Sequence, residues 1–472
     1  MERGPSRVRL IHFTLKEYLS FRPDIFNKSH SKMAEVCLTY LNSKLVKARS
    51  AVFQAEFWET PFLNYSSRYC GVHAKRETSK SIRSLALELF QGYERHISSR
   101  CLLAQTYIQD AWLFGNRSNV GFGGLHCASF FGIVEFVTAL TGMGCYDINA
   151  RDSLGYTPLT WAARNGHEDE VKTLLEWEEV NPGMADKEGQ TPLSNACLGG
   201  HEGVVKVLLA RKEVNTKRPN KKGKTPLVLA AEYGHEGVAK ILLGQKEVNP
   251  SMPDHDGRTP LAYAAQGGHE ALVKVLLGRG EVNPDESDVI GRTPLGWAAE
   301  GGHEGVVKIL LQREEVNPEK ANGIGKTPLL WAASRGHEAV VKMLLARKEV
   351  NPNNPDQDGR TPLSAALEPG HEGVVKILLA RHKFNAAGPS YNGRTPLSFA
   401  TQYRHKGAME ILLARREVNP DQPGYSGRTP LSYAAQYWPE GVNLAIRLCS
   451  VESVLGFLFF LRLRTCPIYA QT

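Results

Sequence analysis

The sequence lacks the motifs that would place it among enzymes or metalloproteins. Its eight cysteines form no C-x-x-C pair, and no histidine opens an H-E-x-x-H segment. No Walker loop, G-x-x-x-x-G-K-[ST], is present to hold nucleotide phosphates on backbone N–H groups. Two Gly-Lys-Thr triplets end at Thr225 and Thr327, but Arg218 and Lys320 stand where the upstream glycine belongs. We therefore expect no catalytic residue, metal site, cofactor or small-molecule ligand.

Long apolar runs are also missing. The run near the C-terminus, Val454–Leu461, has 8 residues, whereas a helix needs about 20 to span a bilayer. Met1–Arg9 is basic, but no apolar stretch typical of a secretory signal follows it. These absences predict an intracellular protein with reduced thiols and no membrane contact. The apolar run itself is either a capping helix or a mis-spliced end.

A basic field is absent from most of the chain, although the formal net charge is +8. Residues 1–118 hold 18 Lys and Arg against 10 Asp and Glu, and the other residues hold 39 against 39. The larger part of the chain is therefore balanced, and we expect no direct binding of nucleic acid.

The sequence does contain one repeating unit, which occurs nine times. The tripeptide Thr-Pro-Leu recurs every 34 residues without insertion, beginning at Thr157, Thr191, Thr225, Thr259, Thr293, Thr327, Thr361, Thr395 and Thr429. A fixed period of this size indicates stacked supersecondary units.

The unit that contains Thr259 predicts two helices and a turn-rich finger. Thr259 is a good N-cap and Pro260 suits the first helical position. Gly268 supplies a left-handed residue that ends the first helix. A second helix is expected from about Glu270, with apolar residues at Leu272, Val275 and Leu276. Pro284 then ends it and opens the finger that leads to the next Thr.

The recurring D-x-x-G-x-T-P-L, A-A-x-x-G-H and V-V-K-x-L-L motifs closely resemble those of ankyrin repeats. The resemblance implies an all-α solenoid of 34-residue helix-turn-helix repeats with turn-rich fingers, preceded here by a helical N-terminal region. One departure is that the His usual after Thr-Pro-Leu is absent, as at Thr160 and Ala262. The His of each Gly-His pair, such as His269, is interpreted as a structural corner residue and not as a metal ligand.

The N-terminal segment carries a second resemblance. Arg7–Leu19 and His30–Leu41 are similar to the segment that follows the NACHT module in filamentous-fungal NACHT–ankyrin proteins. We expect this remnant at 1–50, a helical linker or cap at 51–118, and a degenerate first repeat at 119–152. Eight regular repeats follow at 153–424, then a degenerate last repeat at 425–458 and an apolar and basic tail at 459–472.

Two positions after each Ala-Ala pair vary from repeat to repeat, and they are the first candidate site. In ankyrin proteins these helix positions face the concave groove where partners bind, so the resemblance implies partner binding here. The candidates are Arg164, Asn165, Glu232, Tyr233, Gln266, Glu300, Ser334, Arg335, Gln402 and Tyr403.

Two further series recur at fixed positions in most repeats. A basic row precedes the Thr and is suited either to gripping an acidic partner segment or to solubility alone; it comprises Lys224, Arg258, Arg292, Lys326, Arg360, Arg394 and Arg428. An aromatic series is interpreted as core packing in preference to a stacking platform; it comprises Trp161, Tyr263, Trp297, Trp331, Phe399 and Tyr433.

One finger carries a cluster of basic residues: Lys217, Arg218, Lys221, Lys222 and Lys224. Such clusters are either solvated loops or nuclear-import signals. The sequence therefore predicts a protein of the nucleus or the cytoplasm, with the nucleus favoured. Its expected function is non-enzymatic binding of another protein, such as a transcription factor or signalling protein, as a transcriptional co-regulator or adaptor. The alternative is the sensor portion of a NACHT-type NTPase receptor without its nucleotide-binding module.

Overall fold

The computed structural model describes residues 23–43, 61–76, 79–93, 121–144, 146–380, 385–386, 388 and 393–437. Over these residues the chain is helical and contains no strand. The first part of the NACHT-like segment and the C-terminal apolar run lie outside them. The helices, in chain order, are α1 (Pro23–Asn42), α2 (Pro61–Arg76), α3 (Lys80–Gln91), α4 (Gly124–Phe131), α5 (Val134–Thr141), α6 (Pro158–Arg164), α7 (Glu168–Leu175), α8 (Pro192–Gly199), α9 (Glu202–Leu209), α10 (Pro226–Glu232), α11 (Glu236–Leu243), α12 (Pro260–Gln266), α13 (Glu270–Leu277), α14 (Pro294–Gly301), α15 (Glu304–Leu311), α16 (Pro328–Arg335), α17 (Glu338–Leu345), α18 (Pro362–Leu367), α19 (Glu372–Leu379), α20 (Pro396–Gln402), α21 (Lys406–Leu413) and α22 (Pro430–Tyr437).

The chain divides into two compact units. The first comprises Met1–Ala230 and Gly237–Val248. In it, α1 packs against α2 and α3, and α3 packs against α4 and α5. The first helices of successive pairs, α4, α6 and α8, then lie side by side, as do the second helices α5, α7 and α9. The pair α4–α5 occupies the position of the expected degenerate first repeat, with Gly132 in the left-handed region at φ 70°.

The second unit comprises Ala231–Glu236 and Asn249–Thr472. Its first helices α12, α14, α16, α18, α20 and α22 pack in sequence, each against the next. The second helices α13, α15, α17, α19 and α21 form a parallel row. The predicted all-α class and the 34-residue repetition of helix pairs are thus confirmed.

Each first helix begins as its residues predict. The Thr259 hydroxyl accepts a hydrogen bond from the Ala262 N–H at 3.2 Å, and Pro260 is the first helical residue. Gly268 has φ +72°, a conformation that a residue with a Cβ rarely adopts.

The second helix begins at Glu270 as predicted. Leu272, Val273 and Leu276 are fully buried, and Val275 is half-buried. The helix packs both against its own first helix and against the second helices beside it. Its buried face is therefore wider than the i, i+3, i+4 pattern of Leu272, Val275 and Leu276.

The fingers are held by an Asp or Asn side chain and by backbone pairing between neighbours. Asp288 Oδ1 accepts from the N–H groups of Ile290 at 3.1 Å and Arg292 at 2.8 Å. The Gly323 N–H donates to the Ile290 carbonyl at 2.7 Å, joining two successive fingers. These bonds position the basic residue that ends each finger directly before the next helix.

The Gly-His corners are structural, as expected. His303 Nε2 lies 2.8 Å from the Gln266 carbonyl oxygen, at the end of the first helix of the preceding repeat. Equivalent contacts at 2.9–3.3 Å join His201 to Arg164, His269 to Glu232, His337 to Glu300 and His405 to Glu368. Each such His contacts a carbonyl oxygen at the end of a helix, where no backbone N–H of that helix is available as a donor.

Candidate protein-binding surface

The basic row and the aromatic series were predicted as two separate sets. In the second unit their side chains contact each other. We call this arrangement the cation–aromatic column. It comprises Arg258, Tyr263, Arg292, Trp297, Lys326, Trp331, Arg394, Phe399, Arg428 and Tyr433.

Arg292 shows the geometry most clearly. Its guanidinium carbon lies 4.0 Å from the ring centroid of Trp297 and 4.0 Å from that of Trp331. Only 8% of the Arg292 side chain is exposed. A desolvated cation between two indole faces is a favourable arrangement, worth about 2 kcal/mol or more. Burial lowers the pKa of Arg292, while its neighbour Glu300 favours the charged form. Arg292 therefore stabilises the stack from within and presents little charge to solvent.

The rings of the column are largely buried, which supports the core-packing interpretation. Trp297 donates its indole N–H to Asp288 Oδ2 at 3.1 Å, and the Tyr263 hydroxyl donates to Asp254 Oδ2 at 2.7 Å. In the first unit Trp161 donates to Asp152 in the same way at 3.1 Å. The aspartate of the D-x-x-G-x-T-P-L motif therefore organises its finger with one oxygen and holds a ring with the other. This role was missed from the sequence, although the constant spacing of Asp and ring is visible there.

The basic row also contacts the first of the two variable positions. Arg292 Nη1 lies 2.5 Å from Glu300 Oε2 across the length of the first helix. Arg394 and Arg428 donate to the glutamine oxygens of Gln402 and Gln436 at 3.2 and 3.0 Å. The two predicted site sets therefore meet on one face of the second unit.

Side chains on this face also join successive repeats. Arg335 Nη2 lies 2.7 Å from Glu300 Oε1, so Glu300 holds one arginine of its own repeat and one of the next. The Tyr403 hydroxyl donates to Glu368 Oε1 at 3.3 Å. Arg335 and Tyr403 remain substantially exposed, and Tyr233 is 52% exposed. Gln266 is also exposed, and Ser334 and Glu232 are half-buried.

In the α6–α7 repeat of the first unit, the cation stands at the variable position and not before the Thr. Tyr156 stands at the basic position and Arg164 at the variable one. Arg164 Nη1 donates to the Tyr156 hydroxyl at 3.2 Å and to Asn195 Oδ1 at 3.1 Å. Asn165 donates to the Phe130 carbonyl at 3.2 Å. Burial raises the pKa of Tyr156 to about 12 despite the nearby Arg164. Arg164 and Asn165 are therefore engaged within the stack, and both are half-buried.

The basic finger cluster lies on the surface of the first unit. Lys217, Arg218, Lys221 and Lys222 are exposed, and Lys224 is half-buried. Lys217 is 3.8 Å from Glu247, and Arg218 donates to the Gly183 carbonyl at 2.9 Å. The import function assigned to the cluster stays a prediction.

Across the residues that the structure describes, no group of three or more His, Cys, Asp or Glu side chains is placed to hold a metal ion. None of the helices in that part of the chain combines the length and apolarity needed to cross a bilayer. Cys70, Cys127 and Cys197 are buried, and burial raises the pKa of each thiol. Thiols in such surroundings are poor nucleophiles.

The sequence matches the family model described as ankyrin repeats (3 copies) over residues 109–183, 125–218, 171–254, 246–322 and 314–387. These overlapping matches cover more than half of the chain. A search of curated proteins found no match.

Proposed function

Because the chain belongs to the ankyrin-repeat family, whose members are typically non-enzymatic interaction scaffolds, we propose that it binds a partner protein on the face carrying the cation–aromatic column. The exposed side chains beside the column make the contacts, and the column holds their backbone rigid. No chemistry on the partner is required.

The observation that carries this proposal is that exposed Tyr and Arg side chains lie beside the cation–aromatic column, whose own side chains contact one another. Tyr233, Arg335 and Tyr403 project from three corners of the second unit, and Gly267, Gly301 and Pro369 stand at the corners between them. Tyr and Arg are enriched among the residues that dominate binding energy at interfaces. Rigid support lowers the entropy lost when such side chains bind.

The test is affinity purification of the full chain with quantitative identification of co-purifying proteins. A variant carrying Tyr233→Ala, Arg335→Ala and Tyr403→Ala should lose a protein that the wild type retains. The matched control carries Lys240→Ala, Lys274→Ala and Lys308→Ala, exposed residues of the second helices, and should retain it. Identical partner sets for all three chains would refute the proposed surface.

The proposed role is regulatory, as a transcriptional co-regulator or a signalling adaptor. The exposure of Lys217, Arg218, Lys221 and Lys222 supports the nuclear form of this role. A fluorescently tagged chain should lose nuclear signal when these four residues are changed to Ala. Changing Lys240, Lys274, Lys308 and Lys342 removes the same charge elsewhere and should leave the signal in place. A cytoplasmic signal for every chain would instead support the adaptor.

The alternative function is the sensor portion of a NACHT-type NTPase receptor, supported by the resemblance of Arg7–Leu19 and His30–Leu41. It differs from the adaptor in requiring a nucleotide-binding module encoded in frame with this chain. Transcript sequencing across the codon for Met1 tests it. A continuous frame that contains a Walker loop would favour the receptor, and an unrelated upstream sequence would rule it out.

A further inference from the structure

The cation–aromatic column follows one rule in the second unit: a cation contacts the ring of its own repeat and the ring of the next. Arg258 lies 5.6 Å from the Tyr263 centroid and 4.7 Å from that of Trp297. Arg292 lies 4.0 Å from both of its rings. Arg394 is 5.9 Å from Phe399 and 5.7 Å from Tyr433. The rule allows an interruption of the column to be recognised.

The interruption is at Ala365. This residue occupies the position that holds Trp331 in the preceding repeat and Phe399 in the following one. Lys326 Nζ lies 4.4 Å from the Trp331 centroid, but the ring position of the next repeat is Ala365. Arg360 likewise has Ala365 at the ring position of its own repeat, and it lies 3.9 Å from Glu368 with both side chains nearly half exposed. Two cations therefore flank a position without a ring.

The missing ring leaves an open cleft of about 250 Å³. It is lined by Leu330, Ala365 and Pro369, by the cationic side chains Lys326 and Arg360, and by Ser334 and Glu368, which contribute polar atoms. Sites for small molecules usually measure about 300–1,000 Å³. The cleft is therefore sized for a single side chain.

We propose that this cleft, the Ala365 gap, receives an aromatic side chain from a segment of the partner protein and so completes the column. This inference rests on the proposed binding function. A cation attracts the face of an aromatic ring, and here two cations line the space beside the apolar residues Leu330, Ala365 and Pro369. The oxygens of Ser334 and Glu368 are acceptors in the same lining, which suits a Tyr hydroxyl or a Trp indole N–H. An aliphatic side chain would occupy the space but would gain nothing from Lys326 and Arg360.

Binding of N-acetyl-5-fluorotryptophanamide to the full chain, followed by ¹⁹F line broadening, tests this directly. We expect broadening that unlabelled N-acetyltryptophanamide reverses and that N-acetylleucinamide and acetate do not reverse. Ala365→Phe places in the gap a ring that a neighbouring repeat already carries, so it should fold and weaken binding at least tenfold. Lys326→Met keeps the apolar stem without the charge and should weaken binding severalfold. Ala365→Ser leaves the gap open and serves as the matched control.

Unchanged broadening with Ala365→Phe would overturn the proposal, as would equal competition by acetate or the leucine derivative. A change of oligomeric state in Ala365→Phe, measured by sedimentation, would make a second copy of this chain the occupant and would also overturn it. Partner purification separates this failure from failure of the proposed function. Suppose that a partner is lost with the Tyr233, Arg335 and Tyr403 variant but is bound normally by Ala365→Phe. That result would refute the Ala365 gap as a binding site and would support the proposed surface.

Discussion

The indole N–H of Trp297 donates to the free carboxylate oxygen of Asp288 at 3.1 Å, while the other oxygen of Asp288 organises the finger. One repeat later Trp331 and Asn322 stand at the same two positions. Asn322 Oδ1 accepts from the backbone of Ile324 and Lys326. An amide has no second oxygen to offer, and the buried Trp331 N–H has no acceptor. Trp331 therefore lacks the hydrogen bond that Trp297 makes.

Replacing Asn322 with Asp should therefore stabilise the second unit. The new carboxylate oxygen accepts from Trp331 and lies near the cations of the column, so a gain of about 1 kcal/mol is expected. Chemical denaturation measures it. The reverse change, Asp288→Asn, should destabilise by about 1–3 kcal/mol because it leaves Trp297 without an acceptor. A stabilising Asp288→Asn would contradict the assigned role of the carboxylate.

Arg292 is expected to contribute more to stability than any exposed member of the basic row. Arg292→Ala removes two ring contacts and leaves the half-buried Glu300 with only Arg335. We expect a loss of about 2–4 kcal/mol in the free energy of unfolding. Arg428→Ala is the matched control, since Arg428 is exposed and its ring lies 5.8 Å away. Equal losses for both variants would show that the column adds no stability of its own.

Glu170 should make the first unit less stable as pH rises. It occupies a core position where the next repeat has Val204, and burial raises its pKa to about 8 against the opposing effects of Ser129 and Lys75. The folded state thus holds a proton that the unfolded state releases near its ordinary pKa of 4.5. The stabilisation that this proton gives the folded state is complete below about pH 4.5 and disappears as pH rises through about 8. The free energy of unfolding falls by on the order of a few kcal/mol over this range.

Denaturation between pH 6.5 and 8.5 isolates the effect of Glu170. Burial lowers the pKa of its neighbour His167 to about 4, so His167 acts on stability only at lower pH. We expect Glu170→Val to be more stable than the wild type at pH 8 and to have a flatter profile over this range. A wild-type profile as flat as that of Glu170→Val across the same interval would show that Glu170 is already ionised in the folded chain.

Arg404 is expected to be a strained corner. It has φ +62°, in the left-handed region that glycine occupies at the other corners, such as Gly336 at +80°. Arg404→Gly should stabilise the end of the second unit by about 0.5–1 kcal/mol. Gly336→Ala should do the opposite, because an added Cβ would lie 2.6 Å from Nδ1 of His371. Thermal unfolding of both variants checks the pair. No gain from Arg404→Gly would indicate that Arg404 makes a compensating contact.

Local features were readable from the sequence because their partners are close in the chain. The cap of Thr259, the turn at Gly268 and the start of the second helix at Glu270 each depend on residues within one turn. The width of the buried face of the second helix was less predictable, since Val273 is fully buried and lies outside the pattern of Leu272, Val275 and Leu276. A helix that packs on two sides buries more than one stripe, and periodicity alone does not show how many neighbours it has.

The sequence by itself determined the repeated helix pair, its caps and its glycine corners, since these follow from backbone geometry and from spacing. It also placed the basic row and the aromatic series at fixed positions of most repeats, but as two separate sets. Only the tertiary structure decided that Arg292 lies between Trp297 and Trp331, that Glu300 holds Arg292 and Arg335, and that Ala365 leaves a gap. The physical reason is that these contacts cross from one repeat to the next. Their distances depend on how neighbouring helix pairs stack, which the one-dimensional period does not specify.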